Sequence, residues 1–225
     1  NNDFYTHNQP HNLKLYLRPG DNRCLAFQHD GDVCFQRATN APLIGTTGNL
    51  VKVFNIPANR RLFHGHLRDL CNSTFNPTYM GPWIAHYGAK AGKDFSAAQT
   101  YITARRTYVL SQLPAAVPFA ISTNGGANFS VDAAEVTLEG SGWIDVREIR
   151  RADTGAVLDA EWTGENTWRI NVALLSGANA VTLQAYDHQG AQVGTDSISI
   201  TSTVVAPRAR DYLRVTELHY HPAPP

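Results

Sequence analysis

Between residues 117 and 204 the chain is broken at short intervals by glycine-centred turn signals, and this spacing restricts the fold more than any other feature. Asn124-Gly125-Gly126, Gly140-Ser141-Gly142, Asp153-Thr154-Gly155, Gly164-Glu165-Asn166, Ser176-Gly177-Ala178-Asn179 and His188-Gln189-Gly190 leave little room for helices between them. The intervening segments alternate instead. Thr167-Trp168-Arg169-Ile170-Asn171-Val172 and Ala180-Val181-Thr182-Leu183-Gln184-Ala185-Tyr186 place apolar side chains on one face and polar ones on the other. Together they predict about seven short strands, separated by turns, in roughly 90 residues.

Strand number and turn spacing of this kind predict an all-β, immunoglobulin-like sandwich. The segment has no cysteine, which excludes a core disulfide of the antibody type. Upstream of Pro114 the texture differs, and so does the charge. Residues 1–113 carry 12 Lys and Arg against 6 Asp and Glu, a net of +6, whereas residues 114–205 carry 4 against 11, a net of −7. All three cysteines and six of the nine histidines lie in the first part. The formal charge of zero is therefore the sum of two opposite domains. The chain reads as multidomain: an α+β unit over residues 1–113, the sandwich over 114–205, and a linker with one further strand over 206–225. At 43% apolar residues it can build packed cores, and no apolar run reaches the ~20 residues of a membrane-spanning helix. No signal-type segment opens it, and its start at Asn-Asn-Asp fits an excised piece of a longer protein.

In the first part, Asn12-Leu13-Lys14-Leu15-Tyr16-Leu17-Arg18 alternates as a strand. Pro19-Gly20-Asp21-Asn22 signals a turn, and Cys24-Leu25-Ala26-Phe27 reads as the returning strand. A loop rich in Gly, Thr and Pro follows over about residues 38–49, then a short apolar stretch at 51–56. Pro57 suits a helix start, with Leu62, Phe63, Leu67, Leu70 and Cys71 forming an apolar face. A second helix is expected over about residues 78–91, interrupted or started by Gly81-Pro82. A third is expected from the capping-box pattern Ser96-Ala97-Ala98-Gln99, with Tyr101, Ile102, Tyr108, Val109 and Leu110 as its buried stripe and Pro114 as its stop.

The chemistry-bearing segment is residues 12–32: an asparagine, a hairpin, then Asp30-Gly31-Asp32. Carboxylate and amide oxygens suit a small hard cation beside phosphate, and a hairpin brings residues 18 apart in sequence towards one another. From spacing alone, Asp30-Gly31-Asp32 reads equally well as a polar turn. An EF-hand loop is excluded, because Ala41 stands where its twelfth-position glutamate belongs.

His11-Asn12-Leu13-Lys14-Leu15-Tyr16, followed by Leu25-Ala26-Phe27-Gln28-His29-Asp30-Gly31-Asp32-Val33-Cys34-Phe35, resembles the CotH family of secreted, atypical protein kinases. That family carries an asparagine before the first strand and a Pro-Trp-Asp-x-Asp motif after the second; Gln28-His29 replaces the Pro-Trp here. Pro57-Ala58-Asn59-Arg60-Arg61-Leu62-Phe63, Thr74-Phe75-Asn76, Tyr79-Met80 and the run from Tyr108 to Pro114 are similar to the same domain in large bacterial surface proteins. In those proteins an immunoglobulin-like domain often follows, and then a lamin-tail domain, whose opening strand residues 213–222 resemble. The resemblance implies that Asn12 and Asp30 position Mg²⁺ and ATP, with Asp32 a supporting or second metal ligand. It makes Asp3 the candidate catalytic base, although Asp3 stands nine residues before Asn12 and kinases place theirs five before; Asp3 and Asn8 have that spacing. It further implies a protein substrate, an extracellular or cell-surface location and other domains of one longer chain. A kinase also needs a small lobe with a phosphate cover and a lysine–glutamate pair. The residues before Asn12 are too few for one, so residues 1–225 alone are expected not to transfer phosphate. The rival expectation is a non-catalytic surface protein for adhesion or display, carrying a degenerate kinase-like unit.

Other residues read more simply. His64-Gly65-His66 on a helix points its imidazoles to different sides, which favours solvent or core-edge roles over a metal. His219 and His221 share a strand face without an evident third ligand, and His7 and His11 suit a loop. Cys24 and Cys34 flank the Asp-Gly-Asp turn as either a disulfide or two small buried residues, and Cys71 suits a helix core. Arg60-Arg61 and Arg105-Arg106 read as solvated helix faces, and no nucleic-acid-binding module is recognisable. Trp143, Trp162 and Trp168 could stack on carbohydrate, but core packing between two sheets suits at least one or two of them better.

Overall fold

The computed structural model describes residues 13–28, 35, 37–45 and 49–204. Among them the chain forms a two-stranded hairpin, four helices and two four-stranded sheets. The hairpin comprises β1 (Leu13–Leu17) and β2 (Cys24–Gln28). The helices are α1 (Asn49–Phe54), α2 (Pro57–Ser73), α3 (Pro77–Ala91) and α4 (Ser96–Ser111).

Each helix starts where the sequence gives it reason to. Pro57 opens α2 at a position where its missing N–H is no loss. The Asn76 side chain caps α3 by accepting from the Tyr79 N–H at 2.9 Å, and Gly92, at φ 62°, closes it in the left-handed region. The expected interruption at Gly81-Pro82 is absent: α3 runs through Pro82, which forgoes the one bond its N–H would have made to the preceding turn. The expected capping box at Ser96 is also corrected. Ser96 is already helical, and Asp94 does the capping, accepting from the Ser96 N–H at 2.8 Å and the Ser96 hydroxyl at 3.0 Å. The apolar stretch at 51–56 contributes residues 51–54 to α1.

The sandwich contains eight strands rather than about seven. One sheet has the order β3 (Ala120–Ile121), β5 (Glu135–Ser141), β8 (Thr167–Ala173), β7 (Glu161–Trp162). The other has the order β4 (Phe129–Val131), β10 (Gln192–Ser202), β9 (Gly177–Tyr186), β6 (Glu148–Arg151). All pairings are antiparallel except β4 with β10. Period-two burial fills the space between the sheets. Trp168, Ile170 and Val172 of β8 meet Val181, Leu183 and Ala185 of β9 and Ile198 and Ile200 of β10, all nearly inaccessible to solvent.

Gly140-Ser141-Gly142 is an expected turn that the structure replaces, and three residues of Ser176-Gly177-Ala178-Asn179 already belong to β9. Gly140 and Ser141 are the last residues of β5, paired with Trp168 and Thr167. The glycine is needed for packing: a Cβ on Gly140 would overlap the Trp168 indole and the Ala120 carbonyl oxygen. Trp168 is thereby held flat in the core, with its Nε1–H donating to the Ser141 carbonyl at 2.8 Å.

The helical unit is built differently. Its buried apolar side chains, among the described residues, are Cys71, Ile102 and Val109. Leu15, Leu17 and Phe27 of the hairpin, Leu62 and Leu70 of α2, and Tyr79, Trp83 and Tyr87 of α3 are exposed. Two members of the apolar face expected on α2, Leu62 and Leu70, therefore lie outward, and the polar side of that helix is the docked one.

Replacing Gly140 by Ala is expected to lower stability by about 2 kcal/mol or more through overpacking, read as a lower denaturant midpoint at unchanged slope. Leu175→Ala, at a side chain 79% exposed, should stay within about 0.5 kcal/mol of the parent.

Candidate functional site

The hairpin that should carry the candidate metal residues forms as expected, with Leu13 opposite Gln28 and Leu17 opposite Cys24. Its turn is closed by Arg18 N–H to the Arg23 carbonyl and Asn22 N–H to the Arg18 carbonyl, both 2.9 Å, with Asn22 at φ 55° and an Arg18–Asp21 ion pair across it. That pairing holds the Asp21 carboxyl below its usual range. Asp3, Asn12, Asp30 and Asp32 lie outside the described residues, as do His7, His11, Cys34, His219, His221 and the strand expected at 213–222. Cys24 is exposed on β2. Among the described residues no group of three or more His, Cys, Asp or Glu side chains is placed to hold a metal ion, and no helix is long and apolar enough to cross a membrane.

The most highly organised polar arrangement among the described residues is the junction between α2 and one end of the sandwich. Its centre is Arg61, 2% exposed. Nη1 donates to the carbonyls of Gly142 at 3.1 Å and Glu165 at 2.7 Å, and Nη2 to those of Trp143 at 2.6 Å and Val146 at 2.9 Å. The guanidinium plane lies over the Trp162 ring, its Cζ 3.1 Å from the centroid. Burial pulls the Arg61 pKa down to about 9, opposed by the charge of Asp145; the group stays protonated at neutral pH. A planar fork with several fixed donors matches this ring of carbonyl oxygens, which a lysine could not serve.

One turn further along α2, Gly65 lets the helix approach the loop after β5: a Cβ there would stand 2.6 Å from the Ile144 carbonyl oxygen. Around this centre, Arg60 pairs with Glu165 at 3.2 Å and Arg68 with Asp145 at 3.7 Å, while Arg68 also lies over the Trp143 ring. Gln189 donates to Asp69 at 2.8 Å, and the His66 and His188 rings face each other at 4.8 Å. Trp143 Nε1–H donates to the Pro114 carbonyl at 3.0 Å, pinning the segment that joins the two units. A cleft of about 320 Å³ lies beside the contact, between α2 and residues 144–149 and 157–162.

Sequence reasoning placed Arg60-Arg61 and Arg105-Arg106 on solvated faces, and the structure corrects both pairs. Arg61 is buried, Arg105 donates to the carbonyls of Thr39 and Ala41, and Arg106 donates to the Cys71 carbonyl at 2.7 Å. These carbonyl partners are 35 to 104 residues away, so no local pattern reveals them. The one sequence mark was Gly65, a glycine inside a helical run one turn after Arg61. His64 is a core-edge histidine, 8% exposed, and Cys71 is a core residue, as expected. Of the three sandwich tryptophans, Trp168 is core, and Trp162 and Trp143 lie under arginines.

No protein-family model matches the chain, and no curated protein matches it. Among solved structures, the chain is similar to fibronectin(III)-like modules of Clostridium thermocellum CbhA, at 15% identity over 39% of this chain and 99% of that one, with a TM-score of 0.29. It is similar to CopC from Methylosinus trichosporium OB3b at 14% identity over 40% and 99%, with a TM-score of 0.25. An engineered protein is matched at 21% identity over 47% of this chain and 27% of its own length, with a TM-score of 0.26. Likenesses this slight bear on neither activity nor ligand.

Arg61→Ala is expected to cost about 3 kcal/mol or more, because it leaves the carbonyls of Gly142, Trp143, Val146 and Glu165 without their donor. Urea unfolding followed by helical and tryptophan signals should be one transition in the parent and two in the variant. Arg61→Lys should fail to restore the single transition.

Proposed function

We propose that the chain is the C-terminal part of a CotH-like kinase domain joined to an immunoglobulin-like domain in a secreted or cell-surface protein. The complete protein would transfer the γ-phosphoryl group of Mg-ATP to protein hydroxyls. The observation that carries the reading is the hairpin. Pairing of Leu13 with Gln28 brings together, at about 5 Å, the two chain positions that lead directly to Asn12 and towards Asp30. Asn12 and Asp30 are then the metal-positioning residues, Asp32 their support and Asp3 the base, each taken from the family pattern. The outward-facing leucines and aromatics of the hairpin, α2 and α3 further support a unit that belongs to a larger body, since isolated domains cover such faces. For the sandwich, the order β3-β5-β8-β7 facing β10-β9-β6, with β4 parallel to β10, supports the immunoglobulin-like assignment.

The second reading, a non-catalytic display protein with a degenerate kinase-like unit, is favoured by one observation. The best-ordered polar groups, around Arg61, join two units and present no reacting atoms to solvent.

Calorimetric titration of the full-length protein with ATP and Mg²⁺ separates the two. The kinase reading expects binding that Asp30→Ala weakens on the order of 100-fold, and no phosphoryl transfer by residues 1–225 alone. No binding by the full-length protein supports the display reading. Transfer by residues 1–225 alone contradicts the requirement for a small lobe.

A further inference from the structure

Three histidines line the contact between α2 and the sandwich, and each meets a distinct set of charges. His64 is 8% exposed, and its Nδ1 is buried without a hydrogen-bond partner. The nearest carboxylate oxygen, Glu165 Oε2, is 3.7 Å away, and the other Glu165 oxygen is held by Arg60 at 3.2 Å. Arg60 thus already engages the one carboxylate at this site. His188, on the turn between β9 and β10, faces His66 and Asp69 of α2, Arg147 of the loop after β5, and its neighbour Asp187. Both carboxylates are already engaged: Asp69 accepts from Gln189, and Asp187 accepts the Gln189 and Ala191 N–H groups at 2.9 Å each.

We propose that the docking of α2 on the sandwich is acid-labile: protonation of His64 and of His188, which sits against the His66 ring, loosens this contact while the sandwich stays folded. A proton on His64 sets a second cation beside Arg60, with Glu165 Oε2 still 3.7 Å from Nδ1. A proton on His188 sets a cation near Arg147, where both neighbouring carboxylates are already engaged. Neither event touches the sandwich core, which is built of uncharged side chains.

The direction follows from linkage. Burial lowers the pKa of His64, with Arg60 adding to the effect and Glu165 opposing it. Burial likewise lowers that of His188, with His66 and Arg147 adding to it and Asp69 and Asp187 opposing it. A histidine lowered in the folded state contributes stability that is fully present above the unfolded value of about 6.5. That contribution is lost as pH falls from there through the folded value, because the unfolded chain then binds protons that the folded chain does not. Carboxylates protonate mainly below about pH 5, so the window from pH 7.5 to 5.5 isolates the histidines.

Thermal melting of the whole chain, followed by helical ellipticity, tests this. The midpoint should fall by about 4 °C between pH 7.5 and 5.5, and the drop should vanish in the double variant His64→Gln, His188→Gln. An unchanged or higher midpoint at pH 5.5, or the same drop in the double variant, overturns the proposal. If the double variant does not fold, NMR titration of the assigned His64 and His188 ring protons in the parent decides. Midpoints below about 6.5 support acid lability, and midpoints at or above it overturn the proposal.

Discussion

A single buried cation organises this molecule. The Arg61 guanidinium gives up water for four backbone carbonyls and the face of Trp162, and an exchange of that kind is tolerable only if the carbonyls are fixed beforehand. The sandwich fixes them. Gly142, Trp143 and Val146 belong to the loop after β5, whose curl is closed by the Val146 N–H to the Trp143 carbonyl, and Glu165 belongs to the turn between β7 and β8. Both segments are tied together by the Gly142 N–H donating to the Asn166 carbonyl at 2.9 Å. The end of the sandwich is thus a preformed acceptor ring, and α2 is the element that fills it.

Several other features follow from that one insertion. Gly65 is required because the helix must come close to residue 144 for Arg61 to reach its partners. The helix must turn its Arg61, Gly65 and Arg68 side to the sandwich, which leaves Leu62 and Leu70 facing away. The charge division between the two parts of the chain also acquires a local meaning. Arg60 with Glu165, and Arg68 with Asp145, are pairs between the basic unit and the acidic one, flanking the buried cation. Partly exposed pairs of this kind contribute little to stability, but they favour one docking geometry over others.

The sandwich was largely legible in the sequence, because strand alternation and glycine turns are local signals. Four of the six turn signals fall between strands, at positions such as Gly155 and Gly190 with positive φ. Gly140 misled because a glycine that makes room for an indole looks, in sequence, like one that makes a turn. The cap at Asp94 was missed for a similar reason, since Ser96 and Gln99 have the spacing of a capping box without its geometry. The junction could not be read at all. Arg61 finds its acceptors more than 80 residues away, and they are main-chain oxygens that any residue supplies. Apolar periodicity on α2 pointed to a side that meets the other helices, where Phe63 packs on Phe54 of α1 and Cys71 is buried. For the hairpin, the turn and both strands were legible; the roles of Asp3, Asn12, Asp30 and Asp32 rest on family resemblance.

The central claim is that the helical unit and the sandwich form one body, held at Arg61. Residual dipolar couplings of backbone amides in α2 and β9 test it directly in the intact chain at neutral pH. One alignment tensor should fit both elements with the orientation described here. Two tensors of different magnitude or direction would mean that the units reorient independently, and would contradict the claim.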